Sequence, residues 1–237
     1  MKKSVLFFAT AILLGVGLQS CDREDNNGDN NGGNNGGSTS VKWVDLGLPS
    51  GLLWADRNVG ASTPEDYGNY YAWGETAPKN VYDWSTYAYG KDYDELTKYC
   101  NEASLGLNGF TDNLTVLQAS DDAATVNLGG GARTPTEDEW EELIDHTTST
   151  WITRNGVNGR LLTAANGKSL FLPAAGGRYD TNLYVAGEDS RYWSSTLDTY
   201  NPYDAWSFGF HSGNQYMDSC RNRYYGFSVR AVRASQH

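Results

Sequence analysis

The chain has 237 residues and a formal net charge of −11 at pH 7, from 29 acidic and 18 basic side chains. Such an acidic protein is disfavoured as a binder of nucleic acid or of anionic lipid surfaces. It is rich in Tyr (16), Trp (8) and Gly (27), a composition typical of a loop-rich fold that contains β-strands.

The first residues predict an export signal. Lys2 and Lys3 precede an apolar run over 5–18, which is too short to span a bilayer but suits the apolar core of a signal peptide. The run ends just before Cys21, in a pattern that resembles the lipobox of bacterial lipoproteins. The resemblance implies a signal peptide over 1–20 and a lipid anchor on Cys21 in the outer membrane.

The segment over 21–40 predicts a flexible tether. Its acidic cluster at 22–25 looks like the surface-export signal of Bacteroidetes lipoproteins, which implies display on the cell exterior. The stretch over 26–37 contains only Asn, Gly and one Asp. It has nothing to bury, and we therefore expect a spacer that holds a folded domain away from the membrane.

The remainder, 41–237, has the size of a single domain. In chain order, 43–54 predicts an opening strand that turns at 49–51, and the Gly-punctuated aromatic segment over 66–74 predicts loops and short strands. The spacing of apolar residues over 92–100 predicts a short helix.

The clearest helix is predicted near 136–146. Thr136 and Glu139 have the spacing of a capping box, and three acidic residues fall in the first turn, where they favour the helix dipole. The next apolar residues share one face of such a helix, and they are Trp140, Leu143 and Ile144.

Strands dominate the rest of the chain. Residues 170–173 predict a short apolar strand. The alternation over 205–211 predicts a half-buried strand, and 212–214 predicts a turn into a hairpin partner over 215–218. Alternation over 227–231 predicts the last strand. One clear helix with antiparallel strands indicates an α+β fold.

Several motifs carry a family resemblance. Arg133–Glu141 resembles the R-x-P-T-E-x-E-W-E signature of the formylglycine-generating-enzyme-like branch of C-type lectin folds, and 192–195 and 226–233 resemble its later strands. The segments 45–55 and 70–75 look like the Fibrobacter succinogenes major paralogous domain, which is common among Bacteroidetes lipoproteins. Together they cover essentially 43–233 and imply a C-type-lectin-like single domain. One departure is Ala132, where relatives often carry an aromatic residue.

Catalysis is not indicated by the residues, and we predict no catalytic residue, metal or cofactor. The copper oxidase chemistry of the resembled branch needs two closely spaced cysteines, which Cys100 and Cys220 are not. Their pairing in a disulfide stays open. Histidine, phosphate-loop and serine-hydrolase motifs are absent from the sequence. For Asp121, Asp122 and Glu75, turn capping is favoured over calcium binding because no calcium-loop spacing accompanies them.

The segment over 191–225 predicts a ligand-binding face. Its mixture of Tyr with Ser, Asn, Asp and Gly is that of an antibody-like paratope. Four aromatic residues within it are expected in the core: Trp193, Trp206, Phe208 and Phe210. The residues expected to be exposed and to bind the ligand are Tyr200, Asn201, Tyr203, Asp204, Asn214, Tyr216, Asp218, Arg221, Asn222 and Tyr224.

The same segment resembles the variable region of proteins diversified by retroelements, which implies diversification here too. The ligand class stays open between a protein, which the paratope-like mixture favours, and a glycan bound without diversification on Trp and Tyr platforms. A structural subunit of the cell surface and a formylglycine-generating-type oxidase are the remaining alternatives.

Overall fold

The computed structural model of the chain describes residues 40–235. The predicted signal peptide, the lipidation site at Cys21 and almost all of the tether lie outside these residues. Within 40–235, no helix is long and apolar enough to cross a membrane.

The described part of the chain is mainly antiparallel β-structure with few helices, which agrees with the expected α+β class at this coarse level. The helices are α1 (Ala123–Leu128) and α2 (Glu137–Asp145). The strands are β1 (Trp43–Asp45), β2 (Leu52–Asn58), β3 (Thr147–Arg154), β4 (Val157–Ala164), β5 (Ser169–Pro173), β6 (Gly177–Tyr179), β7 (Asn182–Tyr184), β8 (Asp189–Leu197), β9 (Ala205–His211), β10 (Gln215–Asp218) and β11 (Arg230–Ala234).

The strands form four small sheets. Their orders are β1-β2-β11, β10-β9-β8, β3-β4-β5 and β6-β7, and all the pairs are antiparallel. The first sheet pairs the start of the domain with its end, since Trp54 faces Val232. Single bridges join β6 to its neighbours, with Arg178 opposite Gly226. The β6–β7 hairpin is thereby fixed beside the segment that leads into β11.

Helix α2 forms where the local signals predict it. The Thr136 hydroxyl accepts a hydrogen bond from the Glu139 amide, and the Glu139 carboxylate accepts one from the Thr136 amide. Arg133 adds an ion pair to the same carboxylate. This pair and the capping box hold the pKa of Glu139 below its usual range, although burial opposes them. The residues of the R-x-P-T-E-x-E motif therefore bind one another at the start of the helix.

The core is built around Trp140 of α2. Its ring lies 4.9 Å from that of Trp54 and stacks on Phe208 at 5.0 Å. Its indole N–H donates to the Trp193 carbonyl at 3.2 Å, so a fully buried polar group is satisfied. The helix thus joins the β1-β2-β11 sheet to the β10-β9-β8 sheet through one side chain.

The prediction of a helix over 92–100 is wrong. The segment forms turns, in which the amide of Leu96 donates to Leu105 and Leu96 is bridged to Gly90 and Gly106. Tyr99 has a φ of 56°, a left-handed conformation that a right-handed helix cannot include. The residues of the predicted apolar face do not share one environment, since Leu96 and Tyr99 are buried whereas Tyr93 is half exposed.

The strands predicted over 170–173, 205–211 and 215–218 form, whereas the last strand begins at Arg230 and not at Phe227, which forms only a single bridge to Tyr71. The burial of β9 also differs from the expectation. Ser207 and Gly209 of β9 are buried as well as Phe208 and Phe210, because β9 is the central strand of its sheet and is covered on both faces. Trp206 is only half-buried, contrary to the core position expected for it.

Candidate functional site

The main candidate site is a cleft of about 370 Å³ beside the β6–β7 hairpin. The hairpin, the start of β8 and the segment 221–227 supply its walls. We call it the hairpin cleft; its lining residues include Arg178, Tyr179, Tyr184, Val185, Asp189, Arg191, Arg221, Tyr225 and Phe227.

One wall of the hairpin cleft is a row of aromatic rings. Tyr179 lies 6.4 Å from Tyr184 and 5.5 Å from Tyr225, and Tyr225 stacks on Phe227 at 5.8 Å. Tyr179 and Tyr184 are about half exposed, at 47% and 48%. In the register of the hairpin, both fall on the same face as Gly177. A Cβ at Gly177 would lie 2.8 Å from the Phe227 ring, so glycine allows the Phe227 ring to pack against the hairpin backbone.

The polar wall is organised by two arginines. Arg191 donates a hydrogen bond to the Tyr216 hydroxyl at 2.9 Å and lies over the Tyr216 ring. Arg221 pairs with Asp218 at 2.7 Å, and Arg191 reaches the same carboxylate at 3.8 Å. The guanidinium groups are therefore held in place by β10 and the loop after it. The Nε–H of Arg221 is buried and has no acceptor among the described residues.

Asp189 is the acidic residue of the hairpin cleft. It is half-buried, and burial raises the pKa of its carboxyl, whereas the positive charges of Arg191 and Arg221 act in the opposite direction. Among residues 40–235, its carboxylate accepts no hydrogen bond and forms no ion pair within 4.0 Å. The Asp189 oxygens are not among the buried polar atoms that lack a partner, so solvent reaches them and the carboxylate is open to a hydrogen-bond donor from a ligand.

The lip of the cleft carries backbone strain. Val185 has a φ of 50°, a left-handed conformation that is rare for a β-branched residue, and its side chain is 52% exposed. The amides of Glu188 and Asp189 both donate to the Val185 carbonyl at 3.0 Å, which holds the turn closed. Strain of this kind clusters at ligand sites.

Three of the predicted ligand-binding residues lie at the polar wall. Tyr216 and Asp218 bind the cleft arginines, and Arg221 lines the cleft itself. All three are half-buried. Asn214 lies apart from them in the exposed turn between β9 and β10, where its carbonyl accepts from the His211 amide.

A second group of predicted residues lies on the loop 198–204. Tyr200 is 92% exposed, and the Tyr203 hydroxyl donates to Asn201 at 3.1 Å. Tyr203 also packs edge-on against Tyr93, which is half exposed. The loop 198–204 joins the polar wall, because the Ala205 amide donates to the Arg221 carbonyl.

Two residues expected on the surface are buried. Asp204 is 7% exposed, and its carboxylate accepts a hydrogen bond from the half-buried Asn222 at 2.6 Å. Tyr224 is 8% exposed, and its ring packs against Trp84 and Tyr179. The prediction that Asp204 and Tyr224 are exposed is therefore wrong, because the loops that carry them pack against each other.

The structure shows the environment of the cysteines and of the acidic residues that were considered as metal ligands. Both described cysteines are free thiols, with Cys100 buried and Cys220 exposed. Asp122 caps α1 and accepts from Thr134, and Glu75 accepts from the Ala88 amide, so these two have the predicted capping role. Asp121 does not, since its carboxylate accepts from the side chains of Lys98 and Tyr99. Within 40–235, no group of three or more His, Cys, Asp or Glu side chains could hold a metal ion.

Reasoning from the sequence missed the hairpin half of the cleft. Tyr179, Tyr184 and Asp189 all precede the segment that was singled out at 191–225. Two tyrosines on either side of the polar run 180–182 were the available signal for an exposed hairpin with aromatic faces.

Comparisons of the chain with protein-family models, with curated proteins and with solved structures give no match.

Proposed function

We propose that this protein is a binding protein displayed on the cell surface, and that it captures its ligand at the hairpin cleft and the adjoining loop 198–204. The observation that carries the proposal is the pairing of an exposed aromatic wall with a polar wall that holds Asp189, whose carboxylate has no hydrogen-bond donor or ion pair among residues 40–235. Tyr and Arg are the residues that most often dominate binding energy at interfaces.

The fold, the family and the location in the cell are part of the same proposal. The motifs at 133–141 and 226–233 support a C-type-lectin-like domain of the Fibrobacter succinogenes major paralogous type. The lipobox-like pattern at Cys21 supports a lipid anchor in the outer membrane. Incorporation of labelled palmitate that is lost in Cys21→Ser, together with protease accessibility on intact cells, tests this address.

A protein ligand is proposed first. The exposed apolar and aromatic side chains of the hairpin and the loop 198–204 form a mixture with arginine that suits a protein interface. They are Tyr179, Leu183, Tyr184, Val185 and Tyr200. No catalytic step is proposed.

The test is retention of the purified full chain on two arrays, one of surface proteins and one of glycans. We expect a specific ligand whose binding is lost in Tyr184→Ala and weakened in Tyr216→Ala, because these rings form or support the two walls. Binding that is unchanged in both variants would contradict the cleft. Self-association without any retained ligand would favour a structural subunit instead.

Diversification by a retroelement is the sharper form of this proposal. It predicts a near-copy of codons 191–225 beside a reverse transcriptase gene, differing only at adenines. Tyr200 and Asn214 are among the exposed positions of this segment, where substitution would disturb packing least. A genome that lacks such a copy would rule out diversification and leave the binding proposal intact.

A further inference from the structure

Strand β3 has the longest uncovered edge in the described part of the chain. It spans Thr147–Arg154 and pairs with β4 on one side only, in a continuous register without a bulge. Every other outer strand except β8 has three to five residues. Strand β8 is longer, but its amides also donate to segments outside the sheet, as from Ser195 to the Pro135 carbonyl. The outer edge of β3 is therefore the main unpaired backbone edge of the domain.

The pairing of β4 shows which backbone groups of β3 point outward. The Ala174 amide donates to the Asn158 carbonyl on the β5 side of β4, so the even-numbered residues of β4 bond toward β5. Groups alternate in direction along an antiparallel strand, and Thr150 of β3 faces Leu161 of β4. The even-numbered residues of β3 therefore bond to β4. The outward-facing residues are Thr147, Ser149, Trp151 and Thr153, and none of their amides or carbonyls has a hydrogen-bond partner among residues 40–235.

This edge lacks the features by which edge strands usually avoid pairing. Residues 147–153 contain no charged residue and no proline. Most of them are β-branched, which favours an extended strand. Thr148, Thr150 and Thr153 are exposed. In a protein with a net charge of −11, such an uncharged edge is a place where two copies approach without bringing carboxylates together.

A second copy of β3 complements this edge. When two copies pair antiparallel about a two-fold axis at Thr150, Thr147 of each copy faces Thr153 of the other, and Ser149 faces Trp151. Every outward amide and carbonyl of 147–153 then has a partner. An axis at Ser149 leaves Thr153 without a strand residue opposite it, and an axis at Trp151 does the same to Thr147. The register about Thr150 is therefore the one that satisfies the whole edge.

The charges at the two ends of β3 are also complementary in this register. Arg154, whose side chain is 42% exposed, comes to the His146 end of the other copy, close to the exposed Asp145. A parallel pairing would instead place the two Arg154 side chains next to each other, which is unfavourable. On the exposed face, the antiparallel register places Thr150 opposite Thr150, a pair that stabilises adjacent strands.

We infer that the outer edge of β3 is a homodimer interface, in which two copies pair antiparallel about Thr150 and join their β3-β4-β5 sheets into one continuous sheet. Each copy contributes a single strand edge, and a contact of that size gives a weak, reversible dimer. This inference goes beyond the proposed function and does not rest on it, since β3 does not line the hairpin cleft.

The first experiment is sedimentation velocity of the purified full chain from about 1 µM to about 1 mM. We expect a concentration-dependent shift from the monomer to the dimer. Thr150→Lys places two ammonium groups directly opposite each other at the axis, and should weaken the dimer about tenfold. Ser169→Lys is the matched control, because it adds the same charge at an exposed position of β5 on the same face of the sheet. It should leave the dimer unchanged.

A second experiment tests the register in a Cys220→Ser background, which removes the exposed native thiol. Residues that face each other at the axis lie about 4.5 Å apart at Cα, within reach of a disulfide. Thr150→Cys should therefore form a disulfide between two copies under mild oxidation, assigned by peptide mass spectrometry. Thr148→Cys should not, because it faces Ile152 of the other copy and lies too far from its own counterpart.

Three outcomes would overturn the inference. The first is a chain that stays monomeric up to about 1 mM, including one that captures a strand of a different protein on β3. The second is a dimer that both lysine variants weaken equally, or that neither weakens. The third is cross-linking that is equal in Thr150→Cys and Thr148→Cys, or absent from both. Ligand capture at the hairpin cleft would be unaffected by any of these results.

Discussion

Replacing Asp204 by Asn should stabilise the protein at neutral pH. Asp204 is buried between the loop 198–204 and the chain after β10, with Asn222 as its hydrogen-bond donor. Burial is the main cause that raises the pKa of its carboxyl to about 6, and nearby Asp198 adds to the rise. The folded state therefore holds this proton more tightly than the unfolded state, where the pKa is near 3.8.

The direction and the size of the stability change follow from the linkage between proton binding and folding. Because the folded pKa is raised, ionisation of Asp204 lowers the free energy of unfolding as pH rises from about 4 to about 6, and the full cost is present above that window. A rise of roughly two pKa units corresponds to about 3 kcal/mol. Asn cannot ionise, yet it keeps an oxygen that accepts from Asn222. The variant should therefore gain up to about 3 kcal/mol at pH 7 and nothing near pH 3.5.

Urea unfolding followed by tryptophan fluorescence measures this at pH 4, 5, 6 and 7. The midpoint difference between Asp204→Asn and the unaltered protein should grow with pH and reach roughly 1 M urea at pH 7. Asp94→Asn, which removes an exposed carboxylate, is the matched control and should show no such trend. The comparison uses the difference between the variant and the unaltered protein, because carboxylates with lowered pKa values, such as Glu139, give the opposite pH dependence and are present in both. A stability difference that is the same at pH 4 and pH 7 would refute the reasoning.

Three further changes test the packing that positions the cleft. Trp140→Ala should cost about 3–5 kcal/mol in the free energy of unfolding because it leaves a cavity between two sheets; a loss under 1 kcal/mol would contradict the central role of this ring. Thr136→Ala should cost about 1 kcal/mol through loss of the cap, and Thr136→Ser, which keeps the hydroxyl, should restore most of it. Gly226→Ala should cost about 1–3 kcal/mol, because the added Cβ would lie 2.5 Å from the Tyr82 ring beside the hairpin. Urea unfolding measures all three, and an unchanged midpoint for Gly226→Ala would show that the ring moves aside freely.

Predictions from the sequence succeeded where the determining interactions are local. The start of α2 is set by Thr136 and Glu139, three residues apart, and the hairpin of β9 and β10 by the turn at 212–214 and the alternation on either side. The helix expected over 92–100 does not form, because Tyr99 takes a left-handed conformation and Leu96 is bridged to Gly90 and Gly106 instead.

Composition alone could not separate the tyrosines by exposure. Tyr200 and Tyr224 have similar polar neighbours in the sequence, yet Tyr200 is 92% exposed and Tyr224 is 8% exposed. The difference arises because Trp84 and Tyr179, both distant in the sequence, pack against Tyr224. Exposure is a property of such tertiary neighbours, so a paratope-like composition could not tell which tyrosines of the segment are exposed.

The sequence by itself determined the residue types of the proposed binding face, the capped helix and the order of the late strands, because each depends on neighbours within a few residues. The tertiary structure alone decided that this face has an aromatic wall and a polar wall. The hairpin 177–184, the start of β8 and the segment 221–227 meet only through sheet pairing and single bridges such as Arg178 with Gly226. Asp189 joins this site only in that assembly, because His211 and Arg221, whose charges act on its carboxyl, are distant from it in the sequence.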